Sequence, residues 1–352
     1  MALGQEQNFS VSADEIGREL AGLVLAAGKG TRMKSALPKV LHPVGGRPMI
    51  GWTLATLSQV GVQSVITVVS EDQPELLGYL RGHPAIRVAS QRNRQGTGDA
   101  VAAAAGLFAG IEPPSYAAGN ILQGQPVGNP FVLIMAGDVP GVDPASLRSF
   151  INSIYANGAD LAVLGMRVPN PQGYGRMITK GTELFGIVEE KDATPSERDI
   201  NLCNTGIMAA RVEVLFAALK LLKPDNAQQE YYLTDCVKYA RSLGYKVCAH
   251  EAKSWQEFSG INDREQLASV ESWLMARKRR ELMLAGVTIQ QPESVYIEDT
   301  VEIGPDTLIE SGCHLAGMTR IASGSVIGSG SVLKNVTIAT AELIPPNSVK
   351  IS

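Results

Sequence analysis

The stretch Leu23 to Gly46, "LVLAAGKGTRMKSALPKVLHPVGG", places two glycines and several cations just past one apolar run. Gly28 and Gly30 let backbone N–H groups approach an anion closely. Arg32 offers a bidentate fork and Lys39 a point charge. The stretch is not GxxxxGK[ST], and it is not GxGxxG, because Met33 stands where a third glycine would be. A phosphate cradle and a tight glycine turn with surface cations both fit the loop taken alone. A second stretch, "QRNRQGTGDAV", carries Gln91 and the Gly96-Thr97-Gly98 turn. The Gln91 amide holds a donor and an acceptor and suits a nucleobase edge; Thr97 equally suits a helix cap. A third, "FVLIMAGDVPG", puts Asp138 where a buried run surfaces. A carboxylate there is costly without a cation or donors. One carboxylate plus substrate phosphates suits Mg²⁺, while an Asp capping the turn before Pro140 is the plainer option. Three such strand ends on one sheet edge reinforce one another.

The elements that must position these groups alternate. "LVLAAG", "QSVITVVS", "AIRVAS" and "PFVLIMAGD" read as strands. "RPMIGWTLATLSQVG", with Pro48 in its first turn and Gly61 past its end, "PELLGYLRG" and "TGDAVAAAAGLFAG" read as helices. Such alternation predicts an α/β fold with a mainly parallel sheet, whose ligands lie at the carboxyl ends of the strands. Residues 112–130, rich in Pro, Gly and Asn, read as a long loop. Further on come strand "DLAVLGMRV", hairpin "GRMITKGTELFGIVEE", strand "NTGIMAAR", helix "RVEVLFAALKLL", helical "QQEYYLTDCVKYARSLG" and strand "KVCAHEA". A long helix then runs to Gly286, capped by Asn262 or Asp263. Its "ARKRRE" run reads as a solvated face.

After Gly286 an aliphatic residue recurs every sixth position: Ile297, Ile303, Ile309, Leu315, Ile321, Ile327 and Leu333. This is the hexapeptide period of a left-handed parallel β-helix, here a little over two turns. So short a solenoid implies a homo-oligomer, a trimer where it packs as long ones do. The boundaries read as a polar tail over 1–20, a catalytic domain over 21–262, a linker helix over 263–286 and the coil over 287–352.

The 352 residues carry a net charge of −4, which argues against nucleic acid as the main partner. Cys203, Cys236, Cys248 and Cys313 have neither zinc nor disulfide-framework spacing and suit reduced thiols. The polar N-terminus lacks a signal-peptide core, and no run is long enough for membrane insertion. A cytoplasmic protein is expected.

The ordered motifs "LAAGKGTRMKSALPKVLHPVGGRPM", "QGTGDAV", "GDVP", "NPQGYGR", "GIVEEKDAT", "NTGI", "EYYLTD" and "GINDREQL" resemble those of the bacterial N-acetylglucosamine-1-phosphate uridyltransferases (the GlmU family) from residue 21 to about 334. The resemblance implies a Rossmann-like nucleotide-diphospho-sugar transferase domain that uses UTP, a sugar-1-phosphate and Mg²⁺. It implies that Leu25, Ala26, Gly28, Gly30, Arg32 and Lys39 hold the triphosphate and that Gln91, Gly96 and Thr97 recognise uracil. Asp138 and Asn262 would bind Mg²⁺; Gly175, Glu189, Asn204 and Thr234 would hold the sugar phosphate. Ala136, Gly141 and Leu202 depart from the family's usual tyrosine, leucine and glutamate, which leaves another sugar-1-phosphate open. A non-catalytic sugar-nucleotide-binding subunit is the further alternative. The family's acetyltransferase part lies in a longer β-helix, and no acetyltransferase activity is expected of this chain.

Overall fold

The computed structural model describes residues 20–352 apart from positions 118, 126 and 129; the polar tail read over 1–20 lies almost wholly outside the described residues. The chain divides into two compact units, residues 1–41 with 50–260 and residues 42–49 with 261–352.

The first unit opens with β1 (Leu20–Leu25). The chain then leaves it for a hairpin of β2 (Pro43–Val44) and β3 (Arg47–Pro48) and returns as α1 (Met49–Gln59). Pro48 therefore ends a strand and does not sit in the first helical turn, because tertiary pairing with Pro43 claims it. There follow β4 (Ser64–Val69), α2 (Pro74–Arg81), β5 (Ile86–Gln91) and α3 (Thr97–Ala103). Next come β6 (Gly119–Gln123), β7 (Phe131–Ala136), α4 (Pro144–Asn157) and β8 (Leu161–Arg167). The unit continues through β9 (Arg176–Lys180), β10 (Glu183–Val188), α5 (Pro195–Arg198) and β11 (Leu202–Arg211). It closes with α6 (Val212–Leu219), α7 (Cys236–Ser242) and β12 (Val247–Glu251).

Strand order is β6-β5-β4-β1-β7-β11-β8-β12-β10-β9. The run β5-β4-β1-β7 is parallel. Beyond it β11 pairs antiparallel with both β7 and β8, so the sheet is mixed and parallel pairing dominates only one half. β1 shows why both faces must be covered: Ala21 and Leu23 enter one apolar cluster, Leu20 and Val24 the other. Alternate side chains of a strand point to opposite faces. The expected loop over 112–130 contains β6, an antiparallel edge strand on β5. Its side chains are largely exposed, so hydropathy gave no sign of it. α4 was not read from sequence, although Asp143 caps it by accepting from the Ala145 N–H (2.7 Å) and Gly158 ends it at φ +55°.

The second unit consists of the β2–β3 hairpin, α8 (Arg264–Leu284) and a coil of eleven short strands. Asp263, not Asn262, caps α8, accepting from the Gln266 N–H at 2.8 Å. The strands are β13 (Thr288–Ile289), β14 (Tyr296–Ile297), β15 (Glu302–Ile303), β16 (Leu308–Ile309), β17 (His314–Ala316) and β18 (Arg320–Ile321). They continue as β19 (Val326–Ile327), β20 (Val332–Lys334), β21 (Thr337–Ile338), β22 (Leu343–Ile344) and β23 (Val349–Ile351). Each pairs in parallel with the third strand onward, giving ladders of four, four and three strands. That is the pattern of a three-sided parallel β-helix. The coil is longer than the sequence period suggested. The spacing drops from six to five between Leu333 and Ile338, where Asn335 adopts φ +56°, yet the ladders run on. Buried hydroxyls tie adjacent rungs: Ser325 Oγ donates to the carbonyls of Ala322 and Ala339, both at 2.9 Å. The cationic run on α8 is not merely solvated. Lys278 Nζ donates to the Asp299 carbonyl (2.9 Å) and Arg279 Nη1 to that of Val295 (2.8 Å), binding helix to coil.

Candidate active site

The carboxyl ends of β1, β5 and β7 open onto a cavity of about 700 Å³. It is lined by eight of the residues singled out above: Leu25, Ala26, Gly28, Lys39, Gln91, Gly96, Thr97 and Asp138. Lys29, Lys39, Arg92 and Arg94 supply four cationic side chains to its wall against two carboxylates, Asp138 and Glu230. Arg92 is ion-paired with Glu71 and Arg94 with Asp72, so a polyanion in the cavity would meet cations already held by carboxylates.

Lys39 Nζ forms an ion pair with the Asp138 carboxylate, and both side chains are largely shielded from solvent. The glycines of the first loop do different work. Gly30 sits at φ +59°, and a Cβ there would lie 2.6 Å from Lys39 Cβ. Its job is to let Lys39 close against the loop. At Gly28 a Cβ would meet nothing within 4 Å, and the residue does not need positive φ. The fold makes no demand for glycine there, which leaves the space to whatever fills the cavity. Behind the loop, Gln73 Nε2 donates to the Gly28 carbonyl at 3.3 Å and pins that peptide. Arg32 lies on an exposed 3₁₀ turn (Thr31–Met33) and is not among the cavity residues.

The turn after β5 interlocks with the "EYYLTD" segment. Gly98 N–H donates to the Tyr231 carbonyl and Tyr231 N–H to the Gln95 carbonyl, both at 2.7 Å. A Cβ on Gly98 would stand 2.8 Å from that Tyr231 oxygen. Thr97 does not cap α3; Gly96 holds the cap position, and Thr97 Oγ1 accepts from Leu233 N–H at 3.0 Å. Gln91 Nε2 donates to the Gly96 carbonyl (3.0 Å) and to Asp99 Oδ2 (2.7 Å).

Gly175, Glu189, Asn204 and Thr234 form a second cluster outside the cavity lining. Thr234 Oγ1 donates to Glu189 Oε1 at 2.9 Å. Asn204 N–H donates to the Gly175 carbonyl at 2.8 Å. A Cβ on Gly175 would lie 3.1 Å from Glu189 Oε2. Burial pushes the Glu189 carboxyl above its usual range, and Asp192 and Asp235 add to that; the Thr234 hydroxyl opposes it. Segment 230–235 bridges the two clusters, Tyr231 and Leu233 holding the first and Thr234 the second. Asn262 belongs to the second unit, where its N–H donates to Gln266 Oε1 at 2.8 Å. Leu202, one of the departures, is 7% exposed and packs in the apolar core, whereas Ala136 lines the cavity. Sequence reasoning missed Arg92, Arg94 and Asp99, although both arginines stand in plain view between Gln91 and Gly96.

Among the described residues no cluster of three or more His, Cys, Asp or Glu is placed to hold a metal ion. A cation held by the Asp138 carboxylate would therefore draw its other oxygens from substrate phosphates and water, the usual habit of Mg²⁺.

The model of the MobA-like NTP transferase domain matches residues 22–189. A crystal structure described as a putative glucose-1-phosphate thymidylyltransferase from Bacillus anthracis in complex with a sucrose superimposes with a TM-score of 0.56 at 20% identity, covering 72% of this chain and 94% of that one; it shares the fold. Family model, sheet and cavity together define the class as nucleotidyltransferase. The bifunctional protein GlmU of Geobacter metallireducens is 42% identical over 322 residues, which cover 91% of this chain and 64% of that protein. GlmU of Geobacter sulfurreducens is 41% identical over 90% of this chain and 63% of its own length. That of Geotalea uraniireducens is 38% identical over 94% of this chain and 69% of its own. The chain belongs to the GlmU family. It spans slightly under two thirds of the two Geobacter proteins.

Proposed function

We propose that this protein transfers uridylyl from UTP to N-acetylglucosamine-1-phosphate, releasing pyrophosphate, with Mg²⁺ as cofactor. The observation that carries the reading is the Lys39–Asp138 pair at the cation-rich cavity, beside a Gly28 whose missing side chain the fold does not require. In this reading the triphosphate runs along the Gly28 loop with Lys39 beside it, and the base lies near Gln91, Gly96 and Thr97. The sugar phosphate is held by Gly175, Glu189, Asn204 and Thr234. A phosphate oxygen of that substrate attacks the α-phosphorus, and the bond to the β,γ-pyrophosphate breaks. Phosphate monoesters are largely ionised at pH 7, their second pKa being about 6. No general base is needed, so the chain's contribution is positioning and charge. Lys39 neutralises charge passing to pyrophosphate, and Glu189, braced by Thr234, accepts from sugar hydroxyls. Mg²⁺ bound through Asp138 would supply Lewis-acid neutralisation of the phosphates.

Incubation with UTP, N-acetylglucosamine-1-phosphate and Mg²⁺ should release pyrophosphate; release no higher than that of a Lys39→Ala control overturns the proposal. A panel of other sugar-1-phosphates decides the sugar, and UTP binding without turnover on any of them favours the non-catalytic alternative. The proposal covers uridylyl transfer alone; acetyl transfer is no part of it. We propose that the coil winds left-handed, as its six-residue period suggests, and that the chain self-associates through it, a trimer by light scattering. A monomer at micromolar concentration would count against that. Four buried free thiols suit a reducing, cytoplasmic setting. Among the described residues no helix is long and apolar enough to cross a membrane.

A further inference from the structure

Asp99 is fully buried, yet neither the sequence motifs nor the proposed reaction gives it a task. Its Oδ2 accepts from two donors, Gln91 Nε2 at 2.7 Å and the Gln95 backbone N–H at 3.1 Å. The second bond matters because a backbone N–H only donates, so Oδ2 is an acceptor without ambiguity. The other partner of Gln91 Nε2 is the Gly96 carbonyl at 3.0 Å, which only accepts. The two ends of a glutamine amide are hard to tell apart by shape, and their assignment rests on the surrounding hydrogen bonds. Here both neighbours demand the NH₂ group. Turning the amide over would set Oε1 against two acceptors. Both amide hydrogens are thus spent inside the protein, and only the carbonyl oxygen of Gln91 is left for a ligand in the cavity that this residue lines.

We infer that Asp99 is a positioning residue that locks the Gln91 amide with its oxygen toward the ligand, making the pocket select nucleobases that carry a ring N–H on their pairing edge. The inference rests on the proposed placement of the base beside Gln91. Uracil and thymine present such an N–H at N3. Cytosine presents a bare nitrogen there and would meet oxygen with lone pair against lone pair. A site built around a specific hydrogen bond rejects a ligand that cannot make it by factors of up to about 10⁴–10⁵.

The test is calorimetric binding of UTP, CTP and N3-methyl-UTP to the full chain, with pyrophosphate release measured separately. The wild-type protein should prefer UTP to CTP by at least about a hundredfold, and methylation at N3 should weaken binding as much as exchange for cytosine. Asp99→Leu should cut the UTP/CTP ratio at least about tenfold, since one of the two acceptors holding the amide is gone. Asp99→Asn keeps an oxygen where Gln95 N–H requires one and should hold the ratio within about threefold. In a Gln91→Ala background, Asp99→Leu should leave the ratio unchanged, because Asp99 acts through that side chain. N3-methyl-UTP binding as well as UTP overturns the inference in the wild-type protein, whether or not any variant folds. So does an unchanged ratio in Asp99→Leu, or a loss in Asp99→Asn as large as in Asp99→Leu. UTP preference without pyrophosphate release would sink the proposed reaction and leave this inference standing; equal binding of UTP and CTP with release intact would do the reverse.

Discussion

Gly28→Ala separates what the fold needs from what the ligand needs. The added Cβ meets no atom within 4 Å, and the residue is not in the left-handed region. Its effect on the free protein should come from the unfolded chain, which loses freedom, worth about 0.4–1 kcal/mol of added stability at a compatible site. For a domain of this size that is a rise in melting temperature of about 1–4 °C. The same methyl occupies the space through which the backbone approaches the triphosphate, so kcat/KM for UTP should fall at least about tenfold, mostly in KM. Gly30→Ala reverses the first sign. A side chain at φ +59° costs about 1–2 kcal/mol, and the 2.6 Å contact with Lys39 Cβ adds to it. Differential scanning fluorimetry on both variants, with the pyrophosphate assay, gives the comparison. Gly28→Ala that melts several degrees lower, or that keeps kcat/KM within twofold, would refute the division of labour argued for these two glycines.

Lys39→Ala should lower pyrophosphate release by about 10²–10³, the range for removing one preorganised charge from a transition state; retention of a tenth of the wild-type rate would show that Lys39 is dispensable. The raised Glu189 pKa has a definite sign for stability. The buried carboxyl favours folding below the usual glutamate pKa, and that contribution is lost as pH rises through the elevated folded value. Glu189→Gln should therefore gain melting temperature over wild type between pH 4 and pH 7, and a gap that does not change with pH would contradict the burial. Ile327→Ala empties a fully buried position inside the coil and should cost about 2–5 kcal/mol, read from the denaturant midpoint; a change under half a kcal/mol would mean that the rungs collapse onto the gap.

What could be read from sequence follows how local the cause is. β7 announced itself because "FVLIMA" is apolar on both faces. The coil did so because Ile309, Ile327 and their equivalents must point inward at every sixth residue. Pro48 misled because its strand exists only through pairing with Pro43, and β6 was hidden because an exposed edge strand needs no hydrophobic signature. At the site, Asp138 and Gln91 stood at strand ends where the fold class directs attention. The role of the glycines did not show. Whether Gly28 or Gly30 faces a ligand depends on where Lys39 folds back, and whether Gly98 serves phosphate or protein depends on Tyr231, more than a hundred positions away. Arg32 carries the right chemistry at the right spacing and stands exposed on the short turn after Gly30, outside the residues that line the cavity.

The hairpin at 42–49 also sets a timetable for the ribosome. It departs from the first unit two residues after the chain has placed Lys39 and Val40, and its Gly45 N–H finds its acceptor on Glu271, 226 residues later. At roughly 5–20 residues per second, that partner emerges about 10–45 s after the glycine. Through that interval the hairpin must wait without the helix that anchors its Gly45. Slow codons or a pause before residue 271 would lengthen exposure of this one segment, while β4 and β5, which pair with near neighbours, would fold on schedule.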